Sequence, residues 1–157
     1  MRRGKSFFNF IIMEKEPTLD TRPDWIRTNE VATNEIEHGG KKFPYTVLKR
    51  ELAPTLPGFL GYPNGEHLFI SEDVPEKFRA PQLIHEIVEF TELKGVKGRC
   101  VEALKRELAV MSEEIRQEYL EYRRNFFAKL IEYYKESKDE DFKVEIQASY
   151  EFLQGLK

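Results

Sequence analysis

Leu83-Ile84-His85-Glu86-Ile87-Val88-Glu89-Phe90 is the stretch on which the reading of this chain turns. It reads as a mostly apolar helix carrying one histidine and two carboxylates. Residues four apart share a helix face, so His85 and Glu89 project together with Glu86 beside them. Two readings stay open at this point. In one, His85 and Glu89 hold a metal ion and Glu86 acts on a bound water. In the other, His85 is a satisfied core histidine next to surface glutamates.

Downstream of this stretch the pattern is helical. The run Lys94-Gly95-Val96-Lys97-Gly98 ends the first helix, with Gly95 placed as its C-terminal cap. A second helix is predicted over 99–111, with Val101, Leu104, Leu108 and Met111 as its apolar stripe. Ser112 caps a third helix, and Glu113 and Glu114 follow in its positive first turn. That helix runs to about residue 135 and carries a wide aromatic face through Tyr119, Tyr122, Phe126, Phe127 and Tyr134. The face packs into the core, or it presents a partner surface or dimer seam. Residues 136–141 form a charged hinge. Phe142, Ile146, Tyr150 and Leu153 then keep the spacing of a fourth helix, closed by Gly155.

Upstream, Pro75 and Pro81 sit where helix-start prolines lose no hydrogen bond, so a turn over 75–79 leads into a helix over 81–93. Residues 59–71 read as a β-hairpin about Asn64-Gly65, a dipeptide that tolerates positive φ. Residues 45–48 suit a short strand or the start of a helix ending before Pro54. His38-Gly39-Gly40 is a loop. Trp25, Ile26, Val31 and Ile36 match neither the helical nor the strand period. Histidines 38 and 67 take solvated or structural roles.

Composition sets the outer limits. The chain has 157 residues, enough for one domain with a real core. Apolar residues make up 40% and charged residues 34%, the balance of a globular, helix-rich protein. A net charge of −3 and the absence of a basic stripe argue against nucleic acid and anionic membrane as partners. No apolar run approaches the roughly 20 residues that span a bilayer. Cys100 is the single cysteine, which excludes an intrachain disulfide, suits a reducing, cytoplasmic setting and reads as a buried structural thiol. The basic start Met1-Arg2-Arg3-Gly4-Lys5 and the apolar residues 7–13 imitate a signal peptide. Glu14-Lys15-Glu16-Pro17 stands where small cleavage-site residues belong; Met13 as the working start explains the segment equally well, and a strand or helix docked on the core is the third reading.

A metal site that keeps a position open for water usually has three protein ligands. The second helix offers Glu102 and Glu107 to join His85 and Glu89. The order of hairpin, Ser71-Glu72-Asp73-Val74-Pro75, His85-Glu86-x-x-acid and then Val101-Glu102-Ala103 resembles the zincin-like metallopeptidases of the ImmA/IrrE type, over about residues 59–111. In that family a hairpin precedes a helix bearing His-Glu-x-x-His, and a Glu-Ala pair on the next helix supplies the third ligand. The resemblance implies His85, Glu89 and Glu102 as zinc ligands, Glu86 as general base, and a bacterial or mobile-element origin. Glu89 stands where the family has its second histidine. The resulting ligand set is harder and more anionic, and implies weakened or lost peptidase activity.

The expected fold class is therefore α+β and zincin-like. One mainly helical domain covers 25–157, with a small N-terminal antiparallel sheet or hairpin, four helices and a C-terminal helical extension. Residues 1–24 are irregular or mis-started. A protein substrate or protein partner is expected, with a dimer as one form. The competing function is a non-enzymatic interaction module built on the aromatic face of helix 112–135.

Overall fold

Gly39 and Gly40 both sit at positive φ, 58° and 76°. This is the demand of a tight two-residue hairpin turn, and it joins β1 (Glu30–His38) to β2 (Lys41–Leu48) with His38 opposite Lys41. The computed structural model describes residues 19–157. The expectations for residues 1–18, including the signal-like run and Met13 as start, lie outside the described residues.

Strand β1 is a correction to the reading of this stretch as patternless. Only Glu30, Ile36 and His38 are even partly covered, so both faces see water and no alternation is written into the sequence. The Gly-Gly pair was the available signal. The hairpin at 59–71 is present: β3 (Leu60–Gly61) runs antiparallel to β4 (Leu68–Ser71), and Asn64 in the turn between them has φ 57°.

Among the described residues the sheet is small and has four strands, in the order β1-β2-β4-β3. It is mixed, where an antiparallel sheet was expected, because β2 and β4 pair in parallel with Tyr45 opposite Leu68. The connection from β2 passes a 3-10 turn at Arg50–Leu52 and then β3, which brings the chain back so that β4 runs the same way as β2. The fold class is α+β.

After a short helix α1 (Asp24–Arg27), the helical half follows Pro75 as α2 (Glu76–Ile87), α3 (Arg99–Ala109), α4 (Glu113–Tyr133) and α5 (Glu140–Gln154). Pro81 does not open α2. It lies inside the helix, which begins one turn earlier after Pro75. Beyond Ile87 the helix widens into a π turn over Val88–Glu92. The Ser112 side chain makes no capping bond to α4, whereas Asp139 caps α5 by accepting from the Phe142 N–H at 3.0 Å.

Helix α4 packs along α5, and α3 lies between α2 and α5. The core between the sheet and these helices holds Ile70, Phe78, Leu83, Ile87, Leu104, Tyr119, Phe127 and Leu153. Each such residue contributes about 1.5–3 kcal/mol by leaving water. The aromatic face of α4 is mostly consumed in this core, with Tyr119, Phe126 and Phe127 buried and Tyr133 exposed. Among the described residues no helix is long and apolar enough to cross a membrane.

Candidate metal centre

Helix α3 presents its buried face through Cys100, Ala103, Leu104, Glu107 and Leu108. Cys100 and Glu107 are seven residues apart, two turns on one side of the helix. The His85 ring from α2 fits between them. Its Nδ1 lies 2.7 Å from Glu107 Oε1, and its Nε2 lies 3.5 Å from Cys100 Sγ. Nε2 is also 3.2 Å from Glu89 Oε1, one turn along at the start of the π segment. Single π turns inside α-helices recur at functional sites, and this one falls on a candidate ligand.

Glu107 is wholly buried and is held by three groups. His85 meets it at Nδ1, Arg123 Nη2 donates at 2.9 Å, and the Tyr119 hydroxyl donates to Oε2. Burial pushes the Glu107 carboxyl up, but the cations Arg123 and His85 outweigh it and hold the group below its usual range. His85 shows the mirror effect. Burial works against its charge, yet its contacts with Cys100 and Glu107 raise it well above the ordinary imidazole value. Burial raises the Cys100 thiol against the pull of His85. Glu89 is lowered: burial is its largest influence and opposes this, but the contact with His85 prevails. Glu86 is pushed up to about 7 by burial and by the Glu89 charge next to it.

The ligand atoms of His85, Glu89 and Cys100 all lie within 4.8 Å of one another and could hold a metal ion. A tetrahedral zinc has nitrogen at about 2.0–2.1 Å and sulfur at about 2.3 Å, which puts neighbouring ligand atoms roughly 3.3–3.6 Å apart. The 3.2 and 3.5 Å separations from Nε2 lie close to those edges. The Nδ1 contact with Glu107 is the second part of the fit. Metal-binding histidines commonly donate their other ring N–H to a carboxylate, which fixes the tautomer that leaves the far nitrogen free.

All three groups line a cavity of about 260 Å³, and Glu86 and Arg123 line it with them. Arg123 is buried, stacks over Phe126 and Phe127, and leaves Nε and Nη1 without a partner among the described residues. From α5, Glu145 reaches the same cavity and accepts from the Cys100 backbone N–H at 3.2 Å.

The sequence-derived ligand set is thus partly assembled. His85, Glu86 and Glu89 come together as the helical spacing implied. Glu102 does not join them: it stands on the solvent side of α3, nearly half exposed, and pairs with Lys105 at 2.8 Å. The next helix approaches His85 through Glu107 and Cys100 instead, because the buried stripe of α3 contains positions 100, 103, 104 and 107 and omits 102. Cys100 is buried and free, as the sequence led one to expect, and its sulfur faces His85 and the cavity. Its i, i+7 relation to Glu107 was visible in the sequence.

Comparison of the chain with protein-family models, curated proteins and solved structures finds no match.

Proposed function

We propose that this chain is a zincin-like, metal-dependent hydrolase domain acting on amide bonds of peptides, with His85, Glu89 and Cys100 as zinc ligands and Glu86 as general base. The observation that carries the reading is the convergence of Nε2, a carboxylate oxygen and a thiol sulfur on one cavity, all within 4.8 Å of one another and with Nε2 3.2 and 3.5 Å from the other two. Three protein ligands leave one position open, the pattern of catalytic rather than structural zinc. A bound ion would polarise a carbonyl and acidify a water there. Glu86 stands beside the ligands on the same cavity, where a carboxyl raised by burial and by the Glu89 charge is suited to exchange a proton with a bound water. Glu107 would orient His85, and Arg123 and Tyr119 would in turn hold Glu107.

The test is metal analysis of the purified full chain, with fluorogenic peptides as substrates. One equivalent of zinc is expected, lost in His85→Ala and retained in Glu102→Ala, with peptide hydrolysis abolished by a chelator and restored by zinc. Absence of zinc in the wild-type chain after loading would reject the reading.

A second reading rests on a specific alignment, the line Cys100 Sγ–His85–Glu107. It matches a nucleophile, base and orienting carboxylate. Without metal, the thiolate would attack a carbonyl, His85 would pass the thiol proton to the leaving amine, and water would release the acyl group. Cys100→Asp separates the two: it keeps a ligand and removes the nucleophile. Activity surviving in Cys100→Asp with zinc supports the metal reading, and chelator-resistant activity lost in that variant supports the thiol.

A further inference from the structure

The cavity beside the candidate ligands is polar on the side of α2 and the start of α3 and apolar over most of the rest. Phe59 and Leu60 come from the segment before β4, Phe127 and Leu130 from α4, and Phe142 and Ile146 from α5. Most charged groups on its lining are engaged by the protein itself. Arg123 is bound to Glu107 through Nη2, with Nε and Nη1 unpartnered among the described residues, Arg99 lies over the Phe90 ring at 5.3 Å, and Glu145 accepts from the Cys100 backbone. Apart from those two Arg123 N–H groups, what the cavity offers an occupant is mainly apolar surface, and burying apolar surface is favourable in proportion to its area.

Size narrows the occupant further. Sites for drug-sized ligands run upward from about 300 Å³. At about 260 Å³ this cavity suits one large side chain rather than several residues. Because the same space is bounded by His85, Glu86, Glu89 and Cys100, a side chain seated in it holds its own carbonyl against those groups.

Resting on the hydrolase reading above, we infer that this cavity is a specificity pocket for one large apolar side chain, aromatic or branched aliphatic, flanking the carbonyl under attack. Leu130 and Phe142, on two different helices, set its size.

The experiment titrates the full chain, metal-free and then zinc-loaded, with small probes followed by NMR. N-acetyl-phenylalaninamide is expected to bind at least tenfold tighter than N-acetylglycinamide in either state. Leu130→Trp fills the cavity and removes the preference. Phe142→Ala enlarges it and shifts the preference toward N-acetyl-naphthylalaninamide, a change that mere loss of stability does not produce and that decides the matter should Leu130→Trp fail to fold. Equal binding of the phenylalanine and glycine probes, or a preference untouched by both variants, overturns the inference. Phenylalanine hydroxamate and glycine hydroxamate then separate the two readings. A side-chain preference without any gain from zinc keeps the pocket and rejects the metal centre, whereas a zinc-dependent gain equal for both hydroxamates keeps the metal centre and rejects the pocket.

Discussion

Glu107 is the residue on which the site is hung. It ties α3 to His85 of α2 and to Arg123 and Tyr119 of α4, and all four groups are buried. Removing one partner of a buried ion pair leaves the other charge uncompensated, at a cost of about 3–5 kcal/mol. Glu107→Ala is accordingly expected to lose stability on that scale in urea unfolding, against under about 0.5 kcal/mol for the exposed Glu102→Ala. Glu107→Gln keeps the volume and an acceptor but not the charge. It is expected to weaken zinc affinity roughly 10- to 100-fold, as outer-shell substitutions do, measured by competition with a chromogenic chelator. The sign of the pH effect follows from the same residues. His85 is held protonated above its usual range and the Cys100 thiol is raised by burial, so a metal must displace protons from both. Zinc affinity should fall as pH falls, with proton release seen as a buffer-dependent heat in calorimetry. A pH-independent affinity would exclude these ligands.

At the scale of elements, the approach of α3 to α2 decides which of its carboxylates meets His85. Helix α3 is preceded by Gly98 at its N-cap, whose φ of 71° glycine adopts without strain. Nothing lies within 4 Å of a Cβ built there, so the substitution Gly98→Ala meets backbone strain alone. We expect a loss of roughly 1 kcal/mol in stability together with weaker metal binding, because Cys100 sits two residues on. Gly58 differs in kind: its φ is 73° and a Cβ would stand 2.7 Å from the Tyr122 hydroxyl. Gly58→Ala should destabilise by more than Gly98→Ala and leave metal affinity of the folded fraction unchanged, a contrast that parallel thermal melts and zinc titrations resolve. The π turn at Val88–Glu92 belongs to this scale as well. It is stabilised by Thr91 donating to the Ile87 carbonyl at 2.6 Å, and it sets the direction in which Glu89 leaves the helix.

At the scale of the molecule, a ligand that binds only the folded chain raises its stability by RT ln(1 + [L]/Kd), about 2.7 kcal/mol at a hundredfold excess over Kd. Zinc should therefore raise the melting temperature of the wild type in a concentration-dependent way and leave His85→Ala unmoved. The helical half was legible locally: the apolar spacings over 76–154, the stop at Gly95, the hairpin about Asn64-Gly65 and the pairing of His85 with Glu89 are patterns written at the helical or strand period. The sequence left β1 unread because a strand exposed on both faces has no alternation to show. It chose Glu102 over Glu107 because a short motif says nothing about how a helix is rotated about its own axis. That rotation comes from burying Ala103, Leu104 and Leu108 against α2 and α5, and it turns Cys100 and Glu107 toward His85 and Glu102 toward water. The parallel pairing of β2 with β4 is likewise non-local, set by where the intervening chain can cross. Only tertiary packing decided which acid, and which thiol, would share a cavity with the imidazole.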